Sequence, residues 1–168
     1  VNPSISFVRA GEDDIPVIRE LSGKIWREYY PGIISREQVE YMLEKMYGEN
    51  ALRQEMRSGV VFETVHVGGT AAGYLAYALE EAGKAIRIDK LYLLKEFRGR
   101  GVGRGMLERV RQEAERLDAA EIHLRVNKHN ALAIAVYEKY GFLKSGELVQ
   151  DIGGGFVMDD YVMRFRRI

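Results

Sequence analysis

One block constrains this chain more than any other. A β-rich run over Ala85–Leu94, a basic glycine-rich segment over Lys95–Gly105, and a helical stripe of Met106, Leu107, Val110, Ala114 and Leu117 follow one another without a gap. Strand, loop and helix in immediate succession belong to an α/β or α+β domain with a mixed sheet. The glycines of Arg98-Gly99-Arg100-Gly101-Val102-Gly103-Arg104-Gly105 let the backbone turn so that several N–H groups converge, and the following helix adds its positive end. Such a turn is an anion cradle for phosphate or pyrophosphate. A dinucleotide fingerprint fails on spacing, because Arg104 or Met106 stands where its third glycine is needed. A Walker A loop fails as well, since no Gly-Lys-Ser/Thr tripeptide occurs, and a nucleoside triphosphate is disfavoured.

The rest of the chain surrounds this block with alternating elements. Ile5 and Phe7 alternate with polar neighbours in a short strand, and Asp13 and Asp14 are capping candidates for a helix carrying Ile15, Ile18, Leu21, Ile25 and Tyr29. Pro31-Gly32 stops it. Ser35 and Gln38 have capping-box spacing ahead of a stripe of Val39, Met42, Leu43 and Met46. A shorter helical piece over Ala51–Arg57 precedes two β-rich runs, Val60–Val67 and Gly73–Glu80, which read as an antiparallel pair across Gly68-Gly69. After the central block come a strand over Glu121–Val126 and a helix capped by Asn130 and ended by Gly141, its apolar side formed by Ala133, Val136, Tyr137 and Tyr140. Strands over Phe142–Ile152 and Phe156–Arg166 close the chain as a hairpin through Gly153-Gly154-Gly155. No internal repeat, linker or low-complexity tract interrupts 168 residues, so one domain spanning 1–168 is expected.

Composition removes several function classes. With no cysteine there is no disulfide framework, no zinc ribbon and no thiol nucleophile, and three histidines make a multi-histidine metal site improbable. Lys plus Arg and Asp plus Glu balance at 25 each, leaving no surplus field to hold nucleic acid or an anionic membrane. The run richest in uncharged residues, Thr64–Leu79, falls short of a ~20-residue membrane span. The opening residues lack a charged-then-apolar leader, and cytoplasmic residence is the expectation.

Two motifs resemble a known family, the GNAT-fold N-acetyltransferases. Their acetyl-CoA signature, Gln/Arg-x-x-Gly-x-Gly/Ala between a strand and a helix, is matched by Arg98, Gly101 and Gly103 after Ile88–Leu94. A second signature, Asn-x-x-Ala-x-x-x-Tyr-x-x-x-Gly-Phe, is matched by Asn130, Ala133, Tyr137, Gly141 and Phe142. The resemblance implies a mixed, mostly antiparallel central sheet of about seven strands flanked by about four helices. It also implies acetyl-CoA as co-substrate with no metal. On this carry-over Arg98, Gly99, Arg100, Gly101, Val102, Gly103 and Arg104 hold the pyrophosphate, while Leu93, Leu94 and Asn130 bond the pantetheine arm. A backbone N–H near Leu93 polarises the thioester carbonyl, and Tyr137 protonates the departing thiolate. The chemistry is consistent on its own terms, since attack on a thioester builds negative charge first on oxygen and then on sulfur, where fixed donors lower the barrier. Helix periodicity alone reads Tyr137 as core beside Val136 and Tyr140; the motif favours catalysis.

The base and the acceptor are less marked. Where some family members carry a glutamate, this chain has Arg87 and Arg125, which cannot serve as bases. Asp89 is the nearest acidic alternative, Glu28, His66 and Asp160 are weaker ones, and a water chain is an equal alternative. No serine lies in Gly-x-Ser-x-Gly, so direct transfer is simpler than a covalent intermediate. His123 and His129 read as surface or cap residues. The aromatic segments around Trp26 and Tyr41 and the terminal Asp159-Asp160-Tyr161 are loosely similar to a spermidine acetyltransferase subgroup. Glu28, Tyr29, Asp159 and Asp160 are accordingly the candidates for holding a cationic amine, by ion pairing and cation–π contact. The expected partner is a small polyamine-like amine; a protein N-terminus or lysine, or a non-catalytic acyl-CoA sensor, are the alternatives. A nucleic-acid module using Arg98, Arg100, Arg104, Arg109 and Arg111 is a poor reading without interleaved aromatics, and a homodimer is compatible with all of these.

Overall fold

The structure, a computed structural model, describes residues 4–80, 82 and 84–167. Seven strands lie in one sheet, ordered β1-β2-β3-β4-β5-β7-β6, with five α-helices along the chain. The strands are β1 Ile5–Ala10, β2 Val61–Val67, β3 Thr70–Leu79, β4 Ala85–Leu93, β5 Glu121–Asn127, β6 Leu143–Gly153 and β7 Phe156–Arg166. The helices are α1 Ile15–Tyr29, α2 Arg36–Met46, α3 Glu49–Arg57, α4 Val102–Arg116 and α5 Ala131–Tyr140. The expected count of about four helices is one short, because the short piece after α2 is a full helix of 9 residues. The chain divides into two compact units, one of residues up to Tyr77 with Lys90–Met106, the other of Ala78–Asp89 with residues from Leu107 on.

In the first unit β2 pairs antiparallel with both β1 and β3. The β2–β3 turn is two residues, Gly68 and Gly69, at φ +56° and +85°, the left-handed pair that matches strand twist in a tight hairpin. Ile15, Ile18, Leu21 and Ile25 of α1 are buried at helical spacing, as the sequence requires. Asp14 does not cap α1; its Oδ2 accepts from the Gly11 N–H at 2.8 Å, closing the single 3₁₀ turn before the helix. Ser35 does cap α2, its hydroxyl accepting from the Gln38 N–H at 3.1 Å.

In the second unit β4 pairs parallel with β5 over Ala85–Ile88 on Glu121–Leu124, and β5 and β6 both pair antiparallel with β7. A parallel neighbour needs a crossover, and α4 is that crossover. Asn130 caps α5, its Oδ1 accepting from the Ala133 N–H at 3.2 Å, and Gly141 at φ +125° ends it with the Phe142 N–H bonded to the Tyr137 carbonyl. The expected apolar side of α5 is corrected at one position. Ile134 and Tyr137 are buried, whereas Val136 is 41% exposed. Almost every residue from Ala131 to Tyr137 is apolar, so the sequence offers no polar contrast to set the helix phase.

Candidate active site

The glycine-rich turn is built from a conformational break and an early helix start. Gly99 and Gly101 sit at φ +74° and +79°, a region that costs any residue with a Cβ. Immediately after Gly101 the chain enters α4 at Val102, four residues before the sequence placed the helix. Val102 and Met106, one turn apart and both buried, set that register, so Gly103 and Gly105 become first-turn residues. At Gly105 a Cβ would stand 3.1 Å from Ile5 Cδ1, a packing reason for glycine. At Gly99, Gly101 and Gly103 nothing lies within 4 Å of where a Cβ would be, so these faces are open to an incoming group. The first-turn N–H groups of α4, which an α-helix leaves without an intrahelical partner, the helix dipole and the open glycine faces together suit a pyrophosphate.

Arg98 at the start of this turn does more than supply charge. Its Nη2 donates to the Leu93 carbonyl at 3.1 Å, and its guanidinium lies 4.4 Å from the centroid of the Tyr29 ring. Tyr29, an acceptor candidate by sequence, is therefore a stacking partner of the cradle arginine. Burial pushes the Tyr29 phenol up while Arg98 opposes the shift. At the end of β4 the Leu94 N–H donates to the Ala72 carbonyl at 2.8 Å, fixing the strand beside Leu93.

Behind β4 lies an aromatic cluster. Trp26 stacks on Tyr30 at 4.0 Å between centroids, and Tyr92 meets Trp26, Tyr47 and Tyr74 edge-on. The Tyr47 and Tyr92 hydroxyls share a 2.6 Å hydrogen bond. Burial raises the Tyr47 and Tyr74 phenols well above their ordinary value, so both stay protonated. Lys90, which the sequence reading passed over, is buried here with its Nζ 2.8 Å from Glu55 and over the Tyr47 ring. Glu28 is elsewhere, on the exposed face of α1 in a hollow also lined by Arg19, Lys24 and Arg27. His66 on β2 bonds the Thr64 hydroxyl through Nε2.

In the second unit the two motif residues of α5 and its cap are buried, Asn130 at 4% and Tyr137 at 9% exposure. Tyr137 packs on Phe142 at 5.8 Å. Tyr140, one turn on, is distinguished by its hydroxyl, which donates to Glu108 at 2.6 Å; burial, then this carboxylate, push its phenol up to about 12. That proton is held on Tyr140 by the Glu108 carboxylate.

The candidate carboxylates of this unit, Asp89, Asp159 and Asp160, are each engaged. Asp89 accepts from Arg87 through both oxygens, at 2.5 and 3.1 Å. Asp159 lies 2.9 Å from Lys128 Nζ and raises that ammonium. Asp160 is 3% exposed, and Arg125 Nη2 approaches its Oδ2 at 3.1 Å; burial raises its carboxyl despite the guanidinium. Arg87 and Arg125, which cannot serve as bases, are thus the partners of Asp89 and Asp160. Sequence spacing held a signal for one of these pairs, since Arg87 and Asp89 two apart on a strand share a face; the Arg125–Asp160 pair needed the β5–β7 register. Among the described residues no group of three or more His, Asp or Glu side chains is set to hold a metal, and no helix is long and apolar enough to cross a membrane.

Residues 20–142 match the family model described as "Acetyltransferase (GNAT) family". An uncharacterized N-acetyltransferase from the pepI 3' region of Lactobacillus delbrueckii subsp. lactis is 26% identical over 89% of this chain and 90% of its own length. The spermidine N(1)-acetyltransferase of Thermoplasma acidophilum is 24% identical over 93% of this chain and 96% of its own. Among solved structures, the PaiA N-acetyltransferase of Thermoplasma acidophilum, in complex with coenzyme A, superimposes with a TM-score of 0.78 at 21% identity, covering 98% of this chain and 99% of that one.

Proposed function

The chain belongs to the acetyltransferase (GNAT) family and is an acetyl-CoA-dependent N-acetyltransferase, and from that premise we propose that a single acetyltransferase domain moves the acetyl group directly to a primary amine, a small polyamine ahead of a protein N-terminus or lysine. The observation that carries the reading is the turn at Gly99 and Gly101 running straight into α4, a cradle suited to a pyrophosphate. Arg98 through Arg104 hold the phosphates through backbone N–H groups. Leu93, Leu94 and Asn130 bond the pantetheine arm.

The neutral amine attacks the thioester carbon, and the carbonyl oxygen becomes an oxyanion held by the Leu93 N–H. The C–S bond then breaks, and the Tyr137 hydroxyl gives its proton to the sulfur. The attacking nitrogen gives up a proton, which returns through water to the Tyr137 phenolate. An alkylammonium has a pKa of about 10.4, so the amine must first shed a proton as well. Asp89 or a water chain receives it; the bidentate grip of Arg87 on Asp89 gives the water route the advantage.

Polyamine acceptance is supported by the names of the Thermoplasma relative and of Bacillus subtilis spermine and spermidine acetyltransferases, which share 32–33% identity over 97 residues. The candidates for holding the amine are Asp159 and Asp160 on β7, paired in the free protein with Lys128 and Arg125, and Glu28 and Tyr29 on α1. Initial rates with spermidine and with a simple alkylamine test it. Asp160→Asn is expected to raise the Michaelis constant for spermidine selectively; equal effects on both amines, or acetylation of peptides but of no polyamine, would reject the polyamine reading.

A further inference from the structure

Gly73 lies inside β3, opposite Val65 of β2, where a strand ordinarily carries a side chain. Its backbone is not in the left-handed region, so conformational freedom does not explain the glycine. Space does. A Cβ at this position would overlap the Tyr92 carbonyl oxygen and stand 3.0 Å from Leu93 Cα. Gly48 also has a carbonyl near its Cβ position, but that carbonyl belongs to Glu44, the turn before it. At Gly73 the crowding atoms belong to β4, which leans on β3 at Tyr92–Leu93.

The Tyr92 carbonyl and the Leu93 N–H are the two ends of one rigid peptide plane, pointing in opposite directions. With the oxygen seated in the space over Gly73, the Leu93 N–H is aimed away from β3. The plane is tied on its C-terminal side by the Leu94 N–H on the Ala72 carbonyl and by Arg98 on the Leu93 carbonyl. We propose that Gly73 is a positioning residue for acetyl transfer, its missing side chain seating the Tyr92 carbonyl and thereby aiming the Leu93 N–H at the thioester oxygen. This rests on the assignment of Leu93 as the polarising donor. A methyl group at residue 73 must displace or rotate that plane, and a donor misplaced by about 1 Å costs on the order of 10²-fold in rate.

Gly73→Ala tests this with two readouts. The turnover number is expected to fall on the order of 10²-fold, while CoA affinity measured by calorimetry stays within a few-fold because the Arg98–Arg104 turn is unchanged. The infrared carbonyl stretch of bound acetyl-CoA labelled with carbon-13 at the acetyl carbonyl is expected to drop on binding to the wild type, and to drop less in the variant. If the wild type shows no drop, the Leu93 assignment fails and Gly73 loses its role with it. If the wild type shows the drop and Gly73→Ala retains both it and the turnover number, Gly73 alone is overturned. Should the alanine variant not fold, a crystal structure of the wild type with CoA decides: the Tyr92 carbonyl seated over Gly73 is expected, and room there for a methyl group overturns the proposal.

Discussion

Arg125→Met should destabilise the protein in a manner that depends on pH, and the size follows from one ion pair. Asp160 is 4% exposed at its side chain and Arg125 33%, with 3.1 Å between Nη2 and Oδ2. At an effective dielectric constant of 20 the gross attraction is about 5 kcal/mol. Desolvation of the carboxylate cancels part of this, and the exposed third of the guanidinium is screened, so removal should cost about 2 kcal/mol at pH 8, between the values for exposed and buried pairs. The lost Arg125 Nη1 bond to Gln150 at 2.9 Å adds a smaller, pH-independent part. Burial raises the folded-state pKa of Asp160 above the ordinary aspartate value of 3.8. The folded chain therefore keeps this proton where the unfolded chain has released it, and the stability it contributes is full below 3.8 and lost as pH rises through the folded value. Without Arg125 the folded value rises further and the loss deepens toward pH 8. Urea unfolding at acid and at alkaline pH measures this, with Asp160→Asn in the Arg125→Met background expected to recover most of the alkaline loss. A loss equal at both pH values, or no recovery in the double variant, would refute the reasoning.

Tyr137→Phe should lower the turnover number on the order of 10²–10⁴-fold and leave CoA affinity near wild type, as single-turnover kinetics would show; an unchanged rate of the chemical step rejects the role of the hydroxyl. Gly101→Glu places a carboxylate and a Cβ at a φ of +79°, facing open space where the phosphates are proposed to sit. Calorimetry should then show CoA binding weakened at least tenfold; unchanged affinity puts the phosphates elsewhere.

Both motif turns were legible in the sequence because glycine and capping residues act locally. Ser35, Asn130, Gly141 and the Gly68-Gly69 turn each do what their neighbours within four residues dictate. Local rules also misled in places. Asp14 bonds back to Gly11 and leaves α1 without a side-chain cap, and α4 starts four residues ahead of its expected place with Val102 and Met106 buried. The Asp160–Arg125 pair depends on the β5–β7 register, which joins residues 35 positions apart and leaves no mark in the local sequence. Gly73, the first residue of its expected strand, lies inside β3 because that strand starts at Thr70; the neighbour that crowds it is visible only with β3 and β4 in place.

The chain is an acetyl-CoA-dependent N-acetyltransferase, and the acceptor proposed for it is a primary amine. Release of free CoA thiol, followed with and without spermidine and checked by the mass of the product, tests it most directly. Amine-dependent thiol release with an N-acetylated product is expected, and much slower release by Tyr137→Phe at the same enzyme concentration. A protein that binds CoA through the Arg98–Arg104 turn yet releases no thiol with spermidine, alkylamines, aminoglycosides or peptides would contradict it.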